Sequence, residues 1–453
     1  MKKKYNLVII GAGTAGCLAA YSAIRAGLEN VLLIDRKKQE NIGQKVCGDG
    51  IGTKHIKFLN DIAIKIPDNA IAEYPTKARF VAPDEKKEFL VDIEGELAII
   101  NRKVFGQALL KAALREGVIF SEKTTFKDLT RKNNQVLLNC QTSRKKQQKI
   151  TAKIVIDASG FHSKIREKRN LFGPWAHIKD SEQYYCYREI GSIKNSMERY
   201  KKTVIFHFKN AVTKGGYMWY FHKGKNKYNL GTGVPNNIAG KHNPREIFKQ
   251  YMKPRFENYE AIHQGGGFVP TRHPLPSVVT DNIMLVGDAG AIVNPLHGGG
   301  LGASLFSGYK AGLLAAELIP TEEFGEGSLW KYNLQLWKRY GGRYAILDLL
   351  RILLQAITDQ ELNNVLDKEL LPLNQIFYAR DYSKIKSLGK KLAQKWMTLE
   401  KNRLQILPKY LMKIQEAIKT YPKSPDTMNE WLRNYETIYE KCIQEMASFE
   451  KQE

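Results

Sequence analysis

The chain has 453 residues, 43% of them apolar, which is too long for one small module and too apolar for global disorder. Lys and Arg number 71 against 46 Asp and Glu, and the net charge of +25 predicts attraction to something anionic: nucleic acid, an anionic lipid surface or a phosphorylated substrate. The five Cys do not make a disulfide scaffold, and no stretch reaches the about 18 consecutive apolar residues of a spanning helix, so a cytosolic protein or one resting on a membrane face is expected.

Met1 to Tyr5 has no signal-peptide form. Tyr5 to Ile10 reads as a buried strand. Gly11 to Gly16 follow, then an Ala-rich helix from Cys17 to Ala26 and a strand from Asn30 to Asp35. This is a βαβ unit whose near-continuous apolar strands fit burial on both faces. Lys45 to Gly52 is a Gly-rich loop, and Asp61 to Glu96 has the short alternating runs of an antiparallel insertion. Arg102 to Glu116 predicts a helix, Gly117 to Phe120 a returning strand, Lys123 to Ile150 a basic hairpin and Lys153 to Ala158 a buried parallel strand. From Tyr184 to His273 the pattern turns aromatic and β-like, with strands at Thr203 to Phe208, Tyr217 to His222 and Lys227 to Gly233. Ile283 to Gly287 is a short buried strand and Leu301 to Leu318 a long apolar helix. From about Ser328 the periodicity is helical. Tyr344 to Ile357 is an apolar run broken by Asp348, Arg351 and Gln355, read as core that partly lines a cavity.

The fold class is therefore α/β: a Rossmann-like domain interleaved with an antiparallel β-sheet domain, plus a C-terminal helical domain. The expected division is 1–60, 97–170 and 275–327 for the nucleotide-binding domain, 61–96 and 171–274 for the substrate sheet, and 328–453 for the helices.

Gly11-Ala12-Gly13-Thr14-Ala15-Gly16 matches G-x-G-x-x-G between a strand and a helix, and Asp35 ends the next strand. Gly11 permits the tight turn, Gly13 lets backbone approach a pyrophosphate, and Gly16 lets helix and strand pack closely. The helix N-terminus offers free N–H groups to phosphates, and Asp35 can accept from ribose hydroxyls. The bland reading is a Gly-rich turn with an ordinary strand-end acid; the strand–turn–helix context favours a bound dinucleotide. Val155 to Gly160 and Met284 to Gly290 each end a further strand in a small-residue turn.

With these motifs the sequence resembles, over nearly its whole length, the flavoprotein group that contains para-hydroxybenzoate hydroxylase. Within that group it looks like the geranylgeranyl reductases, among them the archaeal reductases of digeranylgeranylglycerophospholipid. The resemblance implies FAD as cofactor and saturation of isoprenoid double bonds in archaeal membrane lipids. It implies that Gly11, Gly13, Ala15, Gly16, Asp35 and Arg36 hold the ADP part and that Arg102 reaches the nucleotide. Asp157 and Gly160 match the family's middle element, and Gly287 and Asp288 its Gly-Asp pair beside the ribityl and pyrophosphate groups. Asn294 to Leu301, through Gly298, Gly299 and Gly300, resembles the loop beside the isoalloxazine ring. Lys45 to Gly50 resembles the Cys-Gly-Asp loop on the other side, which brings Cys47, Gly48 and Asp49 to the flavin. Tyr217-Met218-Trp219-Tyr220-Phe221 fits the Tyr-x-Trp-x-Phe signature, with His222 where the family usually has Pro.

Saturating an unactivated alkene needs a hydride and a proton, and the expected catalytic residues are Cys47, His297 and Gly299. The Gly299 N–H can stabilise charge on a reduced ring. His297 belongs to the residue type that titrates near neutrality, while Cys47 is either a proton donor or cavity lining; ordered water and the reduced flavin are other proton sources. Tyr217, Trp219 and Phe221 share one strand face, either core or the apolar wall of an isoprenoid groove. Arg272 is read as a charge partner near the substrate head or as a surface salt bridge. No C-x-x-C pair occurs among Cys17, Cys47, Cys140, Cys186 and Cys442, and His55 stands alone, so no metal is expected. Lys384, Lys386, Lys390 and Lys391 form a basic stretch that faces anionic headgroups or simply solvent.

The expected partners are an isoprenoid ether phospholipid and an electron donor such as ferredoxin or NAD(P)H, with peripheral contact at the inner face of the cell membrane from the cytoplasm and no nucleic acid. Two readings compete: a flavin-dependent aromatic monooxygenase of the same fold, and a basic nucleic-acid-binding protein carrying a structural dinucleotide. The Cys47 loop and the Tyr217 signature favour the reductase over the first, and no recognised nucleic-acid module supports the second.

Overall fold

The computed structural model describes residues 3–143, 146–194, 198–367, 396 and 403–449. The basic stretch from Lys384 to Lys391 lies outside the described residues. In chain order the first elements are β1 (Lys3–Ile10), α1 (Thr14–Arg25), β2 (Val31–Ile34), β3 (Gly50–Gly52), α2 (Thr53–Asp61), β4 (Ile71–Glu73), β5 (Lys77–Val81), β6 (Glu88–Asp92) and β7 (Leu97–Ile100). Next come α3 (Arg102–Arg115), β8 (Ile119–Ser121), β9 (Thr125–Lys132), β10 (Gln135–Gln141), β11 (Gln147–Asp157), β12 (Gln183–Ile193), β13 (Thr203–His207), β14 (Met218–His222) and β15 (Lys227–Pro235). The chain continues through β16 (Tyr259–Pro270), β17 (Val279–Thr280), β18 (Ile283–Leu285), α4 (Leu301–Leu318), α5 (Glu326–Leu336), α6 (Gly342–Ala356), α7 (Asp359–Asp367), α8 (Leu407–Lys419) and α9 (Met428–Phe449).

The nucleotide-binding sheet has a parallel centre in the order β18-β11-β1-β2-β8. Leu7, Val8 and Ile9 of β1 are fully buried, as an apolar run covered on both faces must be. Helix α1 starts at Thr14 rather than Cys17, because Cys17 N–H already donates to Gly13 O at 3.0 Å. It packs on α4, with Ser22 Oγ donating to Tyr309 O at 2.9 Å. The sequence pattern separates a hairpin arm ending at Ile150 from a strand beginning at Lys153, but the two are one strand, β11. Its first part pairs antiparallel with β10 and alternates in burial; its end, Ile154 to Asp157, pairs parallel with β1 and is buried throughout. The change in period reflects one covered face becoming two.

The second sheet runs β16-β12-β15-β14-β13-β5-β6, antiparallel except for β13 against β5. Alternation along β14 sorts its side chains: Met218 and Tyr220 enter one core, Trp219 and Phe221 the other. A third, small sheet has the order β3-β7-β4. In it β4, from the 61–96 segment, pairs with β7, so the chain crosses between the expected units more often than their boundaries suggest.

The helical region packs through aromatic stacks, including Trp337 on Tyr421 at 4.0 Å and Trp431 on Tyr435 at 4.4 Å between ring centres. The polar residues that interrupt the apolar run of α6 face a buried ion network. Asp348 accepts from Arg351 Nε at 2.5 Å and lies 3.0 Å from His273 Nδ1, whose Nε2 is 3.2 Å from Glu436 of α9. Burial pushes the Asp348 carboxyl up, but Arg351 and His273 outweigh it and hold the group at about 2. This network fastens α6 and α9 to the end of β16.

Candidate active site

A cavity of about 930 Å³ lies where the two sheets and the helical region meet, at the upper end of the range of about 300–1,000 Å³ usual for ligand pockets. Its wall includes Gly11, Gly13, Ala15, Asp35, Arg36 and Arg102 from the nucleotide end, and Gly160, Gly287 and Asp288 from the two further strand ends. Cys47, Gly48 and Asp49 line it, as do His297 to Leu301 and Tyr217, Trp219 and Phe221. Segments separated by well over half the chain thus converge on one space.

At the nucleotide end, the helix and strand of the fingerprint touch. A Cβ on Gly16 would lie 1.9 Å from Gly11 O, whereas a Cβ on Gly13 would meet nothing within 4 Å. Gly16 therefore serves packing and does not line the cavity, while Gly13 leaves open room. Asp35 is not free: Ala12 N–H donates to its Oδ2 at 2.8 Å and Lys37 N–H to its Oδ1 at 2.7 Å, which ties the second strand to the turn. Arg102 donates from Nη2 to Thr14 Oγ1 at 3.2 Å, yet its Nε and Nη1 are buried without partners. Buried guanidinium nitrogens beside a bare helix N-terminus fit the phosphates and ribose of a dinucleotide. Asp157 is fully buried below this floor, accepting from Ser159 N–H at 2.9 Å and from Ser163 Oγ at 2.5 Å, and so shapes the turn without facing the cavity.

At the other end, Lys45 Nζ lies 2.5 Å from Asp288 Oδ2 and links the Cys47 loop to the Gly-Asp element. Cys47 Sγ donates to Asp49 Oδ1 at 3.1 Å, and Asp49 N–H returns a bond to Cys47 Sγ at 3.2 Å. Asp49 Oδ2 accepts from Lys223 Nζ and Asn229 Nδ2, each at 2.9 Å. Asn229 also donates to Cys47 O at 2.8 Å and accepts from Trp219 Nε1 at 2.9 Å. The loop is thereby bonded to the aromatic strand. Burial, then the Asp49 charge, push the Cys47 thiol up to about 11, so it keeps its proton at neutral pH. Tyr217 and Trp219 lie 6.1 Å apart, Trp219 and Phe221 6.5 Å apart, and Phe206 sits 5.3 Å from both Tyr217 and Phe221. Together they form an apolar wall, and Tyr217 Oη donates to His297 O at 2.7 Å.

Two expectations are corrected. His297 does not titrate near neutrality: burial, then the Arg343 charge, pull its pKa down to about 4, and its Nδ1 accepts from Gly299 N–H at 3.1 Å. The ring is neutral at physiological pH and cannot act as a charged proton source. Arg272 is neither a surface residue nor part of the cavity wall. It is 2% exposed and donates to Glu182 Oε2 at 3.0 Å, within the ion network that holds the helices. The sequence reading missed Lys223, Asn229 and Phe206. The nearest signal is Gly231 and Gly233 alternating on β15, since a Cβ on Gly231 would lie 2.3 Å from the Trp219 ring. Glycine at every second position of a strand marks a face cleared for something large.

Residues 6–161 match the FAD dependent oxidoreductase family, and residues 182–269 match the geranylgeranyl reductase catalytic domain. A digeranylgeranylglycerophospholipid reductase of Sulfolobus acidocaldarius is 30% identical over 453 residues, spanning 96% of this chain and 97% of its own. The chain belongs to the digeranylgeranylglycerophospholipid reductase family. Reductase 1 of Methanococcoides burtonii is 28% identical over 373 residues, covering 81% of this chain and 87% of its own. Among solved structures, a geranylgeranyl bacteriochlorophyll reductase-like protein of Thermoplasma acidophilum superposes with a TM-score of 0.75 at 20% identity, covering 87% of this chain and 99% of its own. A flavin-dependent brominase superposes at 0.67 with 16% identity, covering 91% of this chain and 100% of its own; at such identities these two establish the shared fold alone. As a member of this reductase family the chain is an FAD-dependent oxidoreductase.

Proposed function

We propose that the chain uses FAD to saturate isoprenoid double bonds of digeranylgeranylglycerophospholipid or related geranylgeranyl compounds in archaeal membrane lipid synthesis. Family membership favours this over the monooxygenase reading. The observation that carries it within the molecule is the aromatic wall of Tyr217, Trp219 and Phe221 sharing one cavity with the Cys47 loop and the Gly298 turn. When bound, the flavin supplies the hydride. Gly11, Gly13, Arg102 and Asp288 are assigned to hold its nucleotide, and Gly298 to Gly300 to approach its ring. The aromatic wall positions the alkene and excludes water. Cys47 holds a proton at Sγ, oriented by Asp49, and is our candidate donor in place of His297. Residues 1–60, 97–170 and 275–327 serve the cofactor in this reading, 61–96 and 171–274 the substrate, and 328–453 are the helical domain, whose Arg339, Tyr340, Arg343 and Tyr344 line the cavity.

No helix among the described residues is long and apolar enough to cross a membrane. With a net charge of +25, the chain is suited to peripheral contact with an anionic inner leaflet. The same charge suits an acidic ferredoxin as electron donor, with NAD(P)H as the alternative. The test is anaerobic incubation of the dithionite-reduced holoenzyme with unsaturated archaeal ether phospholipid, geranylgeranyl diphosphate or geranylgeraniol, read by mass spectrometry. Gains of two hydrogens per double bond are expected, and no gain with any of the three refutes the reading.

A further inference from the structure

Beyond the Gly298 turn the cavity has a basic end. Arg343 opens α6, and Arg339 lies one helical turn before it in the π-helical segment Trp337–Gly341; both line the cavity, together with Lys54 and His55 of α2. Contacts fix the place. Tyr340, between the two arginines, donates from Oη to Gly302 O at 3.3 Å, and a Cβ on Gly302 would come within 2.1 Å of the His55 ring.

Arg343 differs from the buried arginines that carry the ion networks of this fold, and unlike Arg188, which also lines the cavity but bonds Cys47 O and His263 Nδ1, it has an unsatisfied buried nitrogen. Arg166, Arg272 and Arg351 are as deeply withdrawn or more so, and each has a carboxylate partner. Arg343 Nε is buried with no hydrogen-bond partner, and no carboxylate pairs with the guanidinium among the described residues. Burial lowers its pKa; Tyr344 and Tyr340 oppose this and Arg339 adds to it. The positive field extends to both neighbouring imidazoles. Burial, then Lys54 and Arg339, hold His55 at about 4, as burial and Arg343 do His297. A half-buried guanidinium with one unsatisfied buried nitrogen, beside a second guanidinium, suits a bound anion. The cavity's other arginine with unpartnered buried nitrogens is Arg102, at the opposite end, where the cofactor phosphates are assigned.

We propose that Arg343, with Arg339 at the rim, binds the phosphate ester at the head of the isoprenoid substrate and so sets how far the chain enters over the aromatic wall. This rests on the reductase reading above. The planar fork of arginine suits phosphate oxygens, and the exposed Arg339 gives the head an entry from solvent. The shared chemistry is a phosphate ester, whether in a phospholipid headgroup or a terminal diphosphate.

The test uses flavin-loaded wild type, R343Q and R339Q with three probes: the unsaturated ether phospholipid in neutral detergent micelles, geranylgeranyl diphosphate, and geranylgeraniol. In R343Q the ratio of kcat/KM for a phosphorylated probe to that for the alcohol should fall about tenfold or more, through KM. R339Q should show a smaller fall. Loss confined to the phospholipid identifies the lipid headgroup as the occupant, and loss confined to the diphosphate identifies the free ester. An unchanged ratio overturns the proposal. So does a shifted flavin spectrum or midpoint potential with the ratio intact, because Arg343 would then face the ring. If R343Q does not fold, inorganic pyrophosphate must compete with geranylgeranyl diphosphate on wild type and do so more weakly on R339Q; no competition overturns it equally. Wild type that saturates none of the probes, the uncharged alcohol included, sinks the reductase reading instead.

Discussion

The two ends of the cavity are built in different ways. The nucleotide end has a local nucleus, to which Arg102 and Asp288 are added from farther along the chain: Gly11 to Gly16 and Asp35 lie within one βαβ unit, where Ala12 N–H bonds Asp35 directly. The substrate end is assembled from afar. Cys47 and Asp49 come from a loop after β2, Lys223 and Asn229 from the β14–β15 hairpin, and Arg343 from the helical region. Local construction leaves a motif that a sequence displays. Distant construction leaves isolated residues whose partners only folding supplies.

The sharpest way to break this contrast lies within the fingerprint. G16V drives a side chain into Gly11 O and should prevent folding, a cost of about 3 kcal/mol or more. G13V meets open space, so it should fold with a near-normal Tm but emerge colourless, having lost the room the pyrophosphate needs. A yellow G13V protein would refute the placement of the cofactor at this turn.

A second prediction separates the two buried charge networks. R272M leaves Glu182 without a buried cation and Glu436 with His273 alone, and should cost about 3–5 kcal/mol in denaturant unfolding, while KM for isoprenoid substrate stays within twofold, about 0.4 kcal/mol. A large KM change would return Arg272 to the substrate site.

At the Cys47 loop, C47A should retain flavin and substrate affinity but lower kcat by about 10²-fold, the lower part of the range for a positioned proton donor. Full activity would leave ordered water or the flavin as the source. In a companion cycle, K223M should destabilise more than the double variant K223M/D49N, since the single change strands a buried carboxylate.

The smallest effect is in pH. His55 and His297 are held at about 4, below the ordinary 6.5. The unfolded chain therefore binds protons that the folded chain refuses, so this stability is full above about pH 6.5 and is lost as pH falls toward 4. Tm of the holoenzyme should decline over that window, and H55Q should flatten part of the slope. A flat wild-type profile would mean that both rings are solvated.

Much of the fold was legible because burial imposes a period on each strand and helix. Leu301 to Leu318 falls where its apolar pattern predicted, and the aromatic strand differs only in beginning at Met218. Errors came where one element changes environment along its length, as in β11, whose alternating and continuous parts imitate two strands. Arg272 was misplaced because an arginine in a Pro-rich segment carries no mark of the carboxylates that fold around it. His297 was misjudged because its type fixes only the pKa in water.

By itself the sequence determined the nucleotide turn, the alternation that puts Tyr217, Trp219 and Phe221 on one face, and the resemblance to the reductases, since spacing along the chain encodes each of these. Tertiary structure alone decided that Lys223 faces Asp49, that Arg343 stands without a counter-ion among the described residues and that His297 stays neutral. Charge pairing and desolvation depend on distances in space between residues far apart in the chain, and no local pattern records them.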